Sequence, residues 1–371
     1  MKRRAKFLCP VLVFLVWGLF SVVAHGIRAE AKEPYKIGLT GARTGPAAIS
    51  YLSGNEAIRI YFDKINDEGG INGRKIELMI EDDGGSGAKA ATNIRKFASR
   101  GAHLLLLDSI SATYMPAIAK AKRANIPIIV CAGAVSPPQA APPNPDPLVF
   151  ASTDKAADTE GLKPIEIIPE VASGPITLGM IVTDIPVARY IAKKCRKLAE
   201  AKGWKVIETP FPVGTADFTP MATNWIKEGV NWGVEHGPGG GRLMYPALMK
   251  RGWKGDFLLV TEAFNYLTKM KADNLYAACT VAPLELNLPE HREIREAARK
   301  YKASMLNTES LWGWDSAKVV ERILTLVQWP PTTKRLLEVM NNLEVDNRPL
   351  SKITKWTPHD HAGFFVFRGY R

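Results

Sequence analysis

Residues 35–81 decide the fold class, and they read YKIGLTGARTGPAAISYLSGNEAIRIYFDKINDEGGINGRKIELMIE. The apolar run 35–40 predicts a strand, and residues 55–68 predict a helix with one buried face. Its apolar residues have i, i+3, i+4, i+7 spacing: Ile58, Tyr61, Phe62 and Ile65. Glycines and an asparagine at 69–73 predict a turn, and 76–81 predicts a second strand. This unit is therefore strand–helix–strand.

The same alternation continues along the chain. Further strands are predicted at 104–107, 126–130, 176–182, 205–209, 230–234, 257–260, 276–281 and 364–367. Helices are predicted at 88–100, 114–124, 187–202, 217–227, 243–250, 264–271, 289–301, 311–327 and 332–342, with Asp217 as an N-cap. Six prolines within 136–147 predict an extended surface segment near a crossing between two lobes. The pattern predicts an α/β protein with parallel sheets covered by helices on both faces.

Composition agrees with a folded protein. The chain has 371 residues, of which 46% are hydrophobic and 23% charged, so a disordered chain is excluded. Glycine and proline together are near average, which excludes collagen-like and low-complexity chains. The length suffices for two domains, each with its own core.

The first 31 residues have the layout of a secretory signal peptide. Four of the first six residues are basic, 11–23 is apolar, and 29–31 is a small-x-small cleavage pattern. An uncleaved membrane anchor is the alternative. Cys9 precedes the apolar run, which disfavours a lipoprotein. Cleavage after Ala31 removes five basic residues and one acidic residue, which lowers the formal charge from +12 to +8. We therefore expect a periplasmic protein, soluble once the signal peptide is removed.

Three cysteines remain after this cleavage: Cys131, Cys195 and Cys279. An odd number leaves at least one unpaired within the chain, and none belongs to a CxxC pair. Cysteine chemistry with a metal or a redox partner is therefore unsupported. Cys131 follows an apolar run and is interpreted as a small core residue.

Motifs for nucleotide chemistry and covalent catalysis are missing. Gly84-Gly85-Ser86-Gly87 lacks the continuation of a P-loop, and neither GxGxxG nor GxSxG follows a strand. Basic residues are scattered; the cluster within 193–197 favours a solvated helix face, so nucleic acid is not an expected partner. We expect no enzyme activity and no cofactor. A hydrolase using Ser111 and His236 is the enzyme alternative, which turnover of a bound compound would reveal.

Two short motifs could suggest metal binding. His359-Asp360-His361 has two histidines without a nearby third ligand, and a solvated loop is the favoured interpretation. Glu81-Asp82-Asp83 could bind a cation, but a strand end with helix-capping carboxylates is favoured. No metal site is predicted.

Several segments resemble one known family, the type I periplasmic binding proteins of branched-chain amino-acid ABC transporters. The matching segments are IGLTGARTGP at 37–46, NDEGGINGRKIEL at 66–78, EDD at 81–83, DFT at 217–219 and WDSA at 314–317. The resemblance implies two Rossmann-like lobes joined by three crossing strands. Lobe 1 would comprise 32–150 and about 283–330, and lobe 2 would comprise 151–282 and about 331–371.

The resemblance also implies first-lobe ligand contacts. In the family, an α-carboxylate binds hydroxyl and main-chain NH groups on two loops of this lobe. Ser111 falls on the carboxylate-binding serine, and Ala132 would offer its main chain. Ala134 replaces the usual threonine, so one hydroxyl donor is lost. Ser50 falls on a pocket aromatic, with Tyr51 adjacent.

In the second lobe, Glu262 falls on the acid that meets the ammonium group, although a helix N-cap acid is the alternative. His236 is the nearest polar residue where the family has an aromatic partner, and Ala188 stands where a tyrosine is common. Trp312 and Trp314 are placed either in the cleft or in the core.

The expected function is capture of a small solute, an amino acid or a related carboxylate, in a cleft that closes by hinge motion. Its expected partner is an ABC permease in the membrane. A ligand-sensing receptor with the same fold is one alternative; a non-amino-acid solute such as an aromatic acid or an amide is another.

Overall fold

Two parallel sheets form the framework of the protein. The computed structural model describes residues 32–131, 138–152, 163–237, 239–260, 272–279, 281–348, 353–362 and 368–370. The predicted helix at 264–271 and the predicted strand at 364–367 lie outside them. Within this part, no helix combines the length and the apolar character needed to cross a bilayer. The α/β class predicted from the alternation of elements is confirmed.

The first sheet has five parallel strands in the order β2-β1-β3-β4-β5. These are β1 (Tyr35–Gly41), β2 (Ile76–Asp82), β3 (Leu104–Asp108), β4 (Ile128–Val130) and β5 (Val149–Ala151). Between them run α1 (Ala48–Asp67), α2 (Gly87–Ser99) and α3 (Tyr114–Ala124). All five residues of β3 are buried, as expected for a strand covered on both faces.

The second sheet holds five parallel strands and one antiparallel edge strand, in the order β13-β10-β9-β8-β6-β7. The strands are β6 (Thr177–Thr183), β7 (Lys205–Phe211), β8 (Trp232–His236), β9 (Asp256–Val260), β10 (Leu275–Cys279) and β13 (Arg368–Tyr370). Its helices are α4 (Lys163–Val171), α5 (Pro186–Ala201), α6 (Thr219–Lys227) and α7 (Gly240–Met249). The chain passes between the sheets three times: after β5, after β10 and before β13.

The chain between β10 and β13 contributes α8 (Arg292–Lys300), α9 (Ser310–Leu326), α10 (Thr333–Met340), β11 (Glu344–Asp346) and β12 (Ile353–Lys355). These elements extend the first lobe. Helix α9 packs against α1, where a Cβ added at Gly313 would lie 2.1 Å from the carbonyl oxygen of Gly54. Only glycine allows the two helix backbones to approach so closely.

The described residues of the 331–371 segment depart from the predicted boundary. The sequence predicts that residues from about 331 to 371 belong to lobe 2, whereas Leu336, Met340 and Trp356 lie in the hydrophobic core shared with α1 and α9. The Trp356 indole N–H donates to the carbonyl of Ala151 at 3.0 Å. Within this stretch, β13 is the described element that pairs with the second sheet.

Two of the cysteines lie in the hydrophobic core. Cys131 and Cys195 are both buried, so the interpretation of Cys131 as a core residue is confirmed. Burial raises the pKa of Cys131 above its usual range and that of Cys195 to about 12, so neither is a thiolate at neutral pH. The Cys279 side chain lies outside the described part.

Candidate functional site

A hydrogen-bonded network holds the carboxyl edge of the first sheet. Asp83, which follows β2, accepts from the Ser109 hydroxyl at 2.7 Å and the Gly85 N–H at 2.8 Å. Its second oxygen accepts from the Thr40 hydroxyl at 3.1 Å, and Thr40 accepts from Asn93 at 2.9 Å. The ends of three strands are thereby fixed to one another. Ligands of open α/β sheets bind at this edge.

A second buried carboxyl group lies beside this network. Asp108 ends β3 and is wholly buried, and its Oδ2 accepts from the Asn55 side-chain amide at 2.9 Å. Burial raises the pKa of Asp108 well above its usual range, and the charge of Asp83 adds to the effect. The space is tight, since a Cβ added at Gly41 would lie 2.0 Å from Asn55 Oδ1. The surroundings of Asp108 therefore favour its protonated form.

Ser111 lies where the two lobes meet. It begins a 3₁₀ turn, Ser111–Thr113, directly after β3, and the Thr113 hydroxyl closes this turn by donating to Ile110 O at 2.8 Å. The Ser111 hydroxyl oxygen accepts from the N–H of Val187, in the first turn of α5, at 3.4 Å. A hydroxyl predicted to bind a carboxylate therefore stands on the interlobe surface.

Ser50 and Tyr51 lie in the first turn of α1 and are both buried. The Ser50 hydroxyl has no hydrogen-bond partner among the described residues. The loop before this helix meets the second lobe, since a Cβ added at Gly214 would lie 3.2 Å from Pro46 Cγ. The predicted helix begins at Asn55, whereas α1 begins seven residues earlier, at Ala48.

His236 ends β8 at the carboxyl edge of the second sheet and is only 3% exposed. Its Nε2 atom has no hydrogen-bond partner in the described part of the chain. Burial lowers the pKa of His236 to about 4, so the imidazole is neutral at pH 7. A buried polar atom without a partner is costly unless a ligand or water satisfies it.

Some of the remaining predicted ligand contacts lie within the described residues, and others lie outside them. Ala132, Ala134 and Glu262 lie outside the described residues, so their assignments stay predictions. Ala188 is fully buried in the core between the lobes. Both tryptophans of the predicted 311–327 helix belong to the first-lobe core, where Trp314 meets the Tyr61 ring edge-on at 4.6 Å.

The histidine and acidic motifs follow the predictions only in part: His359 is exposed in a turn, as predicted, whereas His361 is buried. His361 is not in a solvated loop: it stacks on Phe150 at 3.9 Å, and its ring nitrogens contact the carbonyls of Asp146 and Val149 and the Asn341 side chain. The acidic motif ends β2, but Ser86 caps the next helix, while Asp82 accepts from the N–H groups of Arg43 and Gly84. The described residues contain no group of three or more potential metal-binding side chains.

Sequence reasoning missed two features of this region. The first is the Asp83 network, because side-chain pairings between strand ends have no fixed spacing. The second is an ion pair between Arg242 Nη2 and Glu309 Oε1 at 3.5 Å. These two residues are 67 positions apart and belong to different lobes, so neither periodicity nor a motif signals them.

Comparison with known proteins defines the class. Residues 34–365 match the family model described as periplasmic binding protein. The chain therefore belongs to the periplasmic binding protein family, and the predicted resemblance is confirmed.

Three similar proteins illustrate the range of this class. Leu/Ile/Val-binding protein homolog 4 of Brucella abortus is 33% identical over 87 residues, which are 24% of this chain and 21% of that protein. A fatty acid ABC transporter substrate-binding protein from Thermomonospora curvata has a TM-score of 0.75 at 17% identity, covering 91% of this chain and 92% of that one. A solute-binding protein of Rhodopseudomonas palustris BisB5, in complex with 3,4-dihydroxybenzoic acid, has a TM-score of 0.76 at 15% identity, covering 91% and 93%.

Proposed function

We propose that the protein captures a small carboxylate, an amino acid or a related acid, between its two lobes and delivers it unchanged to an ABC permease. The observation that carries this proposal is the place of Ser111 on the interlobe surface of a periplasmic binding protein. In a closed cleft, fixed donors replace the water around the solute. The names of the three similar proteins refer to branched-chain amino acids, a fatty acid and an aromatic acid, and all of these carry a carboxylate.

The described polar groups suit such a solute. Ser111 would donate to the carboxylate, and the unpartnered Ser50 hydroxyl and His236 Nε2 offer two further hydrogen bonds. His236 is neutral at pH 7, so it adds a hydrogen bond without adding charge. The main chain at Ala132 and Ala134 would complete the carboxylate site, Glu262 would meet an ammonium group, and Tyr51 would line the pocket.

A thermal-shift screen tests the solute class. The probes are leucine, isoleucine, valine, 3,4-dihydroxybenzoate and a medium-chain fatty acid, each compared with its amide. A ligand at one hundred times its Kd adds about 2.7 kcal/mol to stability, which raises Tm by several degrees. We expect at least one acid to raise Tm and its amide to have little effect. Equal shifts for acid and amide, or no shift with any acid, would contradict the proposal. Mass spectrometry of the released probe checks that it is unchanged.

Replacing Ser111 with Ala tests the site itself. Loss of a charge-assisted hydrogen bond should weaken binding of the identified acid by about tenfold or more, measured by calorimetry. S99A is the matched control, because that exposed hydroxyl donates only to its own helix, at Lys96 O. If the two serine variants bind equally well, Ser111 does not contact the solute.

Export is the remaining element of the proposal. We expect the mature protein in the periplasmic fraction, with the signal peptide removed after Ala31. N-terminal sequencing of the purified mature protein measures the cleavage position directly.

A further inference from the structure

An ion pair joins the two lobes. Arg242 lies in the first turn of α7, which packs on α6 and on the second sheet. Glu309 is the N-cap residue of α9, which packs on α1 of the first lobe. Arg242 Nη2 lies 3.5 Å from Glu309 Oε1, and the two side chains are only 10% and 2% exposed. The pair is therefore buried between elements that belong to different lobes.

The position of Glu309 favours its charged form. The N-terminus of a helix carries a partial positive charge, which stabilises a carboxylate placed there. Arginine is the cation best suited to buried ion pairs, because its guanidinium is weakly hydrated and always charged. The attraction between the two groups is stronger here than on the surface, because little water surrounds them.

This contact depends on closure. If the lobes separate by hinge motion, Arg242 moves with α7 and Glu309 moves with α9, and each returns to water. The attraction between them exists only while the lobes are closed. The pair is also separate from two other interlobe contacts. Ser111–Val187 joins the loop after β3 to the start of α5, and Pro46–Gly214 joins the loop before α1 to the loop after β7.

We propose that Arg242 and Glu309 are positioning residues that hold the cleft closed and so set the rate of solute release without contacting the solute. This inference rests on the proposed capture function. Contacts that form only in the closed state act mainly on the dissociation rate. The pair should therefore tighten the binding of every solute by the same factor and leave selectivity unchanged.

The first experiment needs no solute. Small-angle X-ray scattering is recorded on the ligand-free mature protein and on R242Q, E309Q and the double variant. We expect each single variant to have a larger radius of gyration than the parent, and the double variant to be no more extended than either single one. E208Q is the matched control, because Glu208 pairs with Arg196 at 3.0 Å within the second lobe. A parent as extended as the variants, or additive effects of the two substitutions, would overturn the proposal.

The second experiment measures release. Dissociation rates are compared for two acids that bind in the thermal-shift screen, for example leucine and 3,4-dihydroxybenzoate. E309Q should raise both rates about tenfold or more, with the ratio between them unchanged. A changed ratio would show that the charged pair contacts the solute, which overturns the inference. If no acid binds, the proposed function fails, and the scattering result still decides whether the pair holds the lobes together.

Two further variants separate closure from folding. E309D keeps the negative charge at the helix N-terminus but shortens the side chain, and R242K keeps the positive charge but loses the planar fork. Both should unfold at the parent temperature and release solute faster than the parent. Release at the parent rate by both would contradict the role of this contact.

Discussion

The carboxyl edges of the two sheets differ in how their polar groups are held. On the first sheet, Asp83 accepts hydrogen bonds from the hydroxyls of Thr40 and Ser109, at 3.1 and 2.7 Å. On the second sheet, His236 is buried with its Nε2 unpartnered among the described residues. The difference teaches that the first edge is held together by hydrogen bonds within the protein, whereas the second edge keeps a buried imidazole nitrogen that no described residue satisfies.

The largest effect on stability should come from removing a buried hydrogen-bond donor at the carboxyl edge of the first sheet. Asn55→Leu removes the amide that donates to Asp108 Oδ2 and to the Tyr51 carbonyl, and it leaves a buried acid without that donor. We expect the free energy of unfolding to fall by about 3 kcal/mol, measured by urea denaturation at pH 7. H236L is the comparison on the second edge and should change stability by less than about 1 kcal/mol at pH 7. Equal losses of unfolding free energy for the two variants would contradict the difference between the two sheet edges.

A change of pH should sharpen the same contrast. His236 is held neutral in the folded state with a pKa of about 4, against an ordinary value of 6.5. The unfolded chain therefore binds a proton that the folded protein does not, and stability falls as pH drops from 6.5 towards 4. Between pH 7 and pH 5 this single group should cost about 2 kcal/mol in ligand-free protein.

The variant H236L isolates this contribution in urea denaturation at both pH values. It should lose about 2 kcal/mol less than the parent between pH 7 and pH 5. The contribution of Glu56 to the stability of the protein is also lost in acid, but at a lower pH than that of His236. Burial alone would raise its pKa, yet hydrogen bonds from Arg59, Arg43 and Ser304 lower it to about 2. An unchanged pH profile in H236L would show that the imidazole is not buried in solution.

The smallest effect on stability should come from removing one hydroxyl of the Asp83 network at the carboxyl edge of the first sheet. Thr40→Val keeps the shape but removes the hydroxyl that donates to Asp83 and accepts from Asn93. We expect a loss of about 1 kcal/mol in the free energy of unfolding, from the same denaturation experiment. T325V is the control, because the exposed Thr325 hydroxyl donates only to its own helix at Glu321 O. A control loss as large as that of T40V would argue against a special role for the network.

Elements with a strong apolar period could be predicted from sequence. The helix face of Ile58, Tyr61, Phe62 and Ile65 is buried as expected, and the helix Tyr114–Ala124 has the predicted bounds. The apolar spacing did not predict the start of α1, where small and polar residues are buried. The first seven residues of α1 include Ser50, Ser53 and Gly54, which pack without an apolar stripe.

The site was predictable only in part, for a physical reason. A loop after a parallel strand must lie at the carboxyl edge, so Ser111 could be placed there from its position after β3. Its partner Val187 is 76 residues away, and the choice of partner depends on how the lobes meet. The stacking of His361 on Phe150 is equally non-local, and two histidines two positions apart suggested an exposed loop instead.

The backbone contact between Gly54 and Gly313 bears on how the chain assembles during synthesis. The first lobe cannot complete its core until α9 has emerged, about 260 residues after its partner helix. The parallel strands of the second lobe are encoded in between, so that lobe can condense earlier. Long sequence separation slows folding because loop closure must precede the stabilising contact. Such a delay would keep the amino-terminal half unfinished while later residues are still being made.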